Sequence, residues 1–296
     1  PYTPAGLDVG LLREKSAIVE EPAGRKGNTE EGGRTARGPS RGDARLIRRQ
    51  SETTETYHFR ALAPEPGLLH FVSTRRGGVS KGPYEGLNFG LHVGDDPADV
   101  LENRRLLMRH VGIPLEWIVT CRQVHSGNVA VVTRDMRGRG ALSQEDAVPD
   151  TDALVTSEPE ICLVVMLGDC VPVVLYDRRR HVAGVAHSGW KGTVLGVTAN
   201  AVRTMMEVFG SEPADILAGI GPSIGPARYE VGPEVVERAR GAFPGVKVVR
   251  DAGGGKGLFD LWAANLHQLL AAGVPRENVE VAGICSYDNA GTFYSE

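Results

Sequence analysis

Three short polar segments interrupt apolar stretches of this chain, and each carries a group able to bind a metal or move a proton. They are Arg122-Gln123-Val124-His125-Ser126-Gly127, Gly168-Asp169-Cys170 and Ala186-His187-Ser188-Gly189-Trp190-Lys191-Gly192-Thr193. Singly each says little: a histidine near a strand end is commonly packed or solvated, and a buried cysteine is usually an inert small hydrophobe. Together they say more. Cys170 and His187 fall on neighbouring β-like runs joined by the short connection 177–181, so a hairpin return can bring them close. With His125 they make a His₂Cys set suited to zinc, three protein ligands leaving a fourth position for water or substrate. A metal there stabilises the thiolate and makes bound water acidic near neutral pH. Two other chemistries stay open: copper accepts the same ligands, and Cys170 with His187 alone could act as nucleophile and base of a cysteine hydrolase.

The third segment has a second feature. Gly189, Gly192 and Thr193 stand where a strand gives way to a helix, so backbone N–H groups and Lys191 could meet an anion such as phosphate. A plain glycine turn is the competing reading. Ser73-Thr74-Arg75-Arg76-Gly77-Gly78-Val79-Ser80 could add guanidinium contacts through Arg75, although nothing in the spacing shows that the two segments meet.

These groups need a scaffold. Short β-branched runs bounded by Gly, Pro or Asp read as strands over 69–73, 128–133, 162–167, 171–176, 182–186, 216–220 and 279–284. Asp96 and Pro97 read as N-cap and first-turn proline of a helix with Val100, Leu107 and Val111 on one face. A second helix follows Thr193, with Val194, Val197, Ala201, Met205 and Phe209 on one stripe. A third is capped by Asp260, turns Trp262, Leu266 and Leu269 inward, and stops at Gly273. Strands and helices neither alternate evenly nor separate to opposite ends, which predicts one α+β domain with mixed sheets. Residues 1–56 read as a disordered leader, since 22–50 hold no aromatic residue and are crowded with Gly, Arg, Glu, Ser and Thr. Its arginines could suit a targeting or nucleic-acid-binding arm, but Glu30, Glu31 and Asp43 interrupt them, so a solvated tail ahead of a catalytic domain over 57–296 is expected.

Composition narrows the function. A chain of 296 residues that is 41% hydrophobic can build a core around a deep pocket without disulfides. A net charge of −4 supplies no basic field for nucleic acid or membrane lipid. Four cysteines without a CxxC pair do not form a disulfide framework, and no apolar run reaches the ~20 residues of a membrane span, so a reduced, cytoplasmic setting is expected. Eight histidines include no His-x-His pair, which disfavours a multinuclear copper cluster.

Several segments, taken in order, resemble one family: Phe71 to Gly94 (FVSTRRGGVSKGPYEGLNFGLHVG), residues 95–104, Gln123-Val124-His125, Asp150 to Thr156 (DTDALVT), Gly168-Asp169-Cys170-Val171-Pro172, residues 186–193, Ile220 to Val231 (IGPSIGPARYEV), Asp260-Leu261 and Phe293-Tyr294-Ser295. It is the laccase-domain family named for multicopper polyphenol oxidases, also called YfiH-like or peptidoglycan editing factor-like proteins and described as purine nucleoside phosphorylases. The resemblance implies zinc on His125, Cys170 and His187 and a mixed α/β/β/α fold. It also implies phosphorolysis of adenosine, inosine, guanosine and methylthioadenosine, with hydrolytic deamination of adenosine. On this reading the partners are a nucleoside and phosphate. Arg75, Lys191 and the turn at 189–193 hold the phosphate, and Asp169 transfers a proton or orients a ligand. The sequence departs from the family pattern at Gly168 and Ser188, where Ala is usual, at Ser126, where Gly is frequent, and at Lys191, where Arg is frequent. An ammonium in place of a guanidinium changes anion geometry. The rival functions are a copper polyphenol oxidase, a cysteine hydrolase and a non-catalytic accessory protein.

Overall fold

A computed structural model describes residues 7–13 and 46–295 of the chain. Its first elements are strands β1 (Leu7–Arg13), β2 (Leu46–Gln50), β3 (Thr54–Phe59) and β4 (Leu68–Gly77), helix α1 (Pro97–Val111), and strands β5 (Ile118–Thr120), β6 (Val129–Val131) and β7 (Ala153–Thr156). Strand β8 (Cys162–Leu167) and the hairpin β9 (Val171–Asp177) and β10 (Val182–Ser188) follow, then helices α2 (Trp190–Val194) and α3 (Val197–Phe209). The chain closes with β11 (Ile216–Ile220), β12 (Glu230–Val231), α4 (Pro233–Ala242), β13 (Val249–Gly253), β14 (Lys256–Phe259), α5 (Leu261–Ala271) and β15 (Val279–Val281).

Two six-stranded sheets carry the architecture, in the orders β2-β3-β4-β1-β8-β5 and β15-β11-β9-β10-β7-β6, with a small sheet β12-β14-β13 beside the second. Alternation along β8 and β9 shows how they stack. Leu163, Val165 and Leu167 of β8 meet Val174 and Tyr176 of β9 in a core between the sheets. Cys162 and Val164 turn the other way, onto Leu107 and Met108 of α1. Val171, Val173 and Leu175 face outward under α3, α4 and α5. Both faces of the central strands are therefore covered, which is why β8 to β10 read as nearly continuous apolar runs. The order of layers is α/β/β/α, as the resemblance implies. No helix among the described residues is long and apolar enough to cross a membrane.

Helix ends follow their chemistry. Asp96 accepts from Ala98 N and Asp260 from Ala263 N, each capping the helix it precedes. The expected second helix is in fact two, because Gly196 at φ 76° breaks the chain between α2 and α3. In α5 the buried face is Leu261, Ala264, Asn265, Gln268 and Leu269, while the expected inward residues Trp262 and Leu266 are only partly buried. The phase is shifted because Asn265 and Gln268 have partners inside. Asn265 Oδ1 accepts from Ser188 Oγ at 2.7 Å and Thr198 Oγ1 at 2.6 Å, and Gln268 Nε2 donates to Thr193 O at 2.6 Å.

The leader expected over 1–56 fails where the structure describes it. β1 lies between β4 and β8, antiparallel to both, and β2 pairs with β3 in register Leu46↔Phe59 to Gln50↔Glu55. Arg48 and Arg49 read as solvated tail because β2 is an edge strand, where charged side chains face water and block further pairing. Residues 1–6 and 14–45, including most of the arginine-rich stretch, lie outside the described residues.

Candidate metal centre

Strand register assembles the site at one end of the second sheet. Pairing of β9 with β10 places His187 opposite Pro172, so Cys170 lies just beyond the strand end beside it. Pairing of β7 with β10 places Ala186 opposite Ala153, which puts Asp152 next to His187. Parallel pairing of β6 with β7 sets Val129 beside Ala153 and brings the loop bearing His125 to the same edge. The result is a cluster in which one ligand atom each of His125, Cys170 and His187 lie within 4.8 Å of one another. Two imidazole nitrogens and a thiol sulfur suit a small thiophilic metal such as zinc. Gly189 closes the back. A Cβ there would stand 2.8 Å from Cys170 Sγ and 3.0 Å from His125 Cδ2, so a side chain would push the donors apart.

Asp152 organises the cluster, and the sequence reading passed over it. It is fully buried and accepts from His187 Nδ1 at 2.8 Å, which turns the other ring nitrogen toward the cluster. The same carboxylate accepts from Val124 N, His125 N, Ser126 N and Ser126 Oγ at 3.2, 3.0, 2.6 and 2.7 Å. It thus fixes both histidines, one by its ring and one by its backbone, and holds His125 at φ 59°. Burial acts to raise the Asp152 carboxyl, but the bond and charge of His187 and the Ser126 donors outweigh it and hold it at about 2. Two departures from the family pattern gain a purpose here. Ser126 adds a hydroxyl donor to Asp152, and Ser188 joins the polar network with Thr193 and Asn265 behind His187.

Cys170 and His187 polarise each other. Burial tends to raise the Cys170 thiol, yet the charge of His187 and hydrogen bonds from both imidazoles bring it down to about 6. Burial tends to lower His187, and the Cys170 thiolate and Asp152 lift it to about 9. Each group favours the charged form of the other, which draws the Cys170 thiol toward the thiolate that a metal would bind.

A pocket of about 430 Å³ opens onto the cluster, lined by His125, Gly168, Asp169, Cys170, Trp190, Lys191, Ile224, Tyr229 and Leu261. Lys191 and Asp169 therefore line the same pocket as His125 and Cys170. The other expectations need correction. α2 is five residues long, so it contributes little helix dipole, and the Thr193 hydroxyl is buried against Ser188 and cannot reach an anion. The Asp169 carboxylate accepts from Ser286 Oγ and, at 3.0 Å, from Ser295 Oγ. Arg75 lines a different concavity with Arg76, Glu85 and Ala290, and donates to the carbonyls of Glu85 and Ala290 at 3.0 and 3.2 Å.

Fold and site together define a four-layer α+β protein with a His₂Cys cluster beside a largely apolar pocket. The chain belongs to the family described as multi-copper polyphenol oxidoreductase laccase, whose model matches residues 69–296. It is 39% identical over 234 residues to a protein of Geobacillus stearothermophilus named purine nucleoside phosphorylase YlmD, covering 78% of this chain and 85% of that one. It is also 41% identical over 231 residues to a protein of an unknown prokaryotic organism named adenosine deaminase RL5, covering 77% of this chain and 88% of that one. The crystal structure of YlmD from Geobacillus stearothermophilus superposes with a TM-score of 0.79 at 37% identity, covering 84% of this chain and 93% of that one.

Proposed function

We propose that this protein is a zinc-dependent purine nucleoside phosphorylase that also deaminates adenosine, with a catalytic unit over 57–296 that extends back through β2 and β3. The observation that carries the proposal is the His125, Cys170 and His187 cluster facing a pocket with flat apolar walls and one ammonium. Its volume suits a nucleoside, and Trp190 and Tyr229 offer aromatic surface to a purine. The names of the two relatives supply the reaction classes.

In phosphorolysis, inorganic phosphate displaces the purine at ribose C1′, giving ribose 1-phosphate and the free base. In deamination, water displaces ammonia at purine C6. A metal on the cluster supplies Lewis-acid polarisation to either displacement. Lys191 donates charge-assisted bonds to phosphate, and the apolar walls exclude bulk water from the reacting carbon. His187, held by Asp152, keeps its free nitrogen aimed at the cluster. Asp169 acts on position, since both its carboxylate oxygens accept seryl hydroxyls.

The test incubates adenosine, inosine, guanosine and methylthioadenosine with and without phosphate and reads the products, alongside the metal content of the protein. Free base appearing only with phosphate, inosine appearing without it, and zinc near one per chain are expected. Oxidation of phenols by a copper-loaded protein that leaves every nucleoside untouched would overturn the proposal. A second reading rests on a specific observation: without metal, Cys170, His187 and Asp152 form a nucleophile, base and orienting carboxylate, as in a cysteine hydrolase. Turnover that survives chelation and stops on alkylation of Cys170 would favour it.

A further inference from the structure

The tightest turn at the centre is Gly168-Asp169-Cys170, which links β8 to β9 with Cys170 N donating to Gly168 O at 2.8 Å. Asp169 sits in it at φ 66°, a conformation costly for a residue with a side chain. Such a turn keeps its shape only if its surroundings determine it. Its anchors come from the last third of the chain. Ile224 N donates to Asp169 O at 2.9 Å, and Ser286 and Ser295 donate to the two carboxylate oxygens.

The segment carrying Ser295 is itself firmly anchored. Phe293 and Tyr294 are buried, and Phe293 packs against Tyr57 between the sheets. Tyr294 OH donates to the carbonyls of Tyr84 and Glu85 at 2.9 and 3.1 Å. Arg75 ties the three strands of chain together. Its N donates to Thr292 O at 2.8 Å, its guanidinium reaches Glu85 O and Ala290 O, and Cζ lies 4.5 Å from the centroid of the Tyr294 ring. A planar fork that satisfies two carbonyls while stacking on a ring is a task for arginine, which an ammonium cannot reproduce.

We propose that Arg75 is a positioning residue for the metal centre: it clamps segment 290–295, whose Ser295, beside Ser286, fixes the Asp169 turn that presents the Cys170 sulfur. Arg75 then acts on both reactions equally and has no phosphate of its own. This rests on the reading of His125, Cys170 and His187 as a metal centre, so the deciding measurement is made without metal.

Chelator-treated wild type, Arg75→Ala, Arg75→Lys and Ser295→Ala are exposed to iodoacetamide, and modification of Cys170 is followed by peptide mass mapping. Loosening the turn exposes the thiol by local opening, so Arg75→Ala is expected to react about tenfold faster and Ser295→Ala about threefold faster. Arg75→Lys should stay near Arg75→Ala. With nucleoside and phosphate, Arg75→Ala should lose phosphorolysis and deamination by the same factor with the phosphate KM unchanged. Should Arg75→Ala fail to fold, Ser295→Ala, which removes one hydroxyl, decides alone. Wild-type alkylation rates in the variants, or a rise in phosphate KM confined to phosphorolysis, would overturn the proposal. Absence of metal from the wild type would undo the proposed function while leaving the alkylation result to judge the clamp.

Discussion

Two histidine clusters in this fold show how surroundings decide what the same side chain does. At one end of the second sheet, His187 is buried with a carboxylate on one nitrogen and a thiol by the other, and its pKa is lifted to about 9. In the first sheet, His58 and His70 are equally buried, with rings 5.5 Å apart, but their partners are neutral. His58 Nδ1 donates to His70 O at 2.6 Å and Nε2 shares a hydrogen with Thr56, while His70 Nε2 accepts from Phe59 N at 2.8 Å. Burial pushes His58 down to about 4, helped by Arg49, and His70 down to about 3, helped by the charge His58 would carry. Burial alone makes a histidine a neutral structural brace. Burial with an anion on each side favours the protonated ring, which must shed a proton before that nitrogen could hold a metal.

The strongest way to break the comparison is to remove the anion that the metal would share. Cys170→Ala should drop zinc from about one per chain to near none and abolish turnover, because a three-ligand site tolerates no deletion. Metal analysis after gel filtration checks this, and full zinc in the variant would mean that another ligand set holds it. His58→Gln or His70→Gln should leave zinc unchanged.

Acid sharpens the comparison from the other side. His58 and His70 have folded pKa values below the ordinary 6.5, so the unfolded chain binds more protons once pH falls below about 6.5. Their contribution to stability is complete above that pH and is lost as pH falls toward 4 and 3, by a few kcal/mol at most on ordinary linkage. His187 has the opposite sign: raised to about 9, it contributes fully below 6.5 and loses its contribution as pH rises through 9. Metal-free protein should therefore show a urea midpoint that falls between pH 7 and pH 5. His70→Gln keeps an acceptor for Phe59 N without a titrating ring and should flatten that fall. An unchanged slope would place the acid sensitivity elsewhere.

Next in size is Asp152→Asn, which keeps the shape of the buried carboxylate and removes its charge. Partners of this kind behind a metal-bound imidazole are worth about 10–100-fold in metal affinity. Competition with a chromophoric chelator should show that loss, and Ser126→Gly, which removes one donor of several, should show less. Asp152→Asn with wild-type affinity would reduce Asp152 to a backbone brace for residues 124–126.

What the sequence revealed and what it hid divide along the same line. His125, Cys170 and His187 were legible because reactive side chains inside apolar runs have no packing reason to be there. Asp152 was not, because no local pattern gives this aspartate a partner and only the pairing of β7 with β10 shows that it faces His187. The phase of α5 was misjudged for a related reason: Asn265 and Gln268 look solvent-facing until Ser188, Thr193 and Thr198 are placed against them. β2 was hidden by its polar composition at a sheet edge, and β1 by its separation along the chain from the strands it pairs with. Arg75 looked like an anion ligand because its carbonyl partners, Glu85 and Ala290, are invisible to any local pattern.

The smallest expected effect concerns Lys191, the cation at the pocket and the position where Arg is frequent in the family. Its Nζ lies 5.6 Å from the centroid of Trp190, whose ring also has Arg238 at 6.0 Å. Lys191 is exposed, so a bond from it to phosphate would compete with water and fall at the weak end of charge-assisted contacts. Lys191→Ala should raise the phosphate KM about tenfold. Lys191→Arg keeps the charge, adds a fork that can grip two phosphate oxygens and still rests on Trp190, so it should change the phosphate KM by no more than about twofold, in the favourable direction. Deamination uses water in place of phosphate and should hold steady in both variants. A phosphate titration of adenine release beside inosine formation reads both reactions from one sample. If deamination falls together with phosphorolysis in Lys191→Ala, the ammonium serves the nucleoside or the cluster, and the difference drawn here between Lys191 as anion contact and Arg75 as clamp loses one of its two sides.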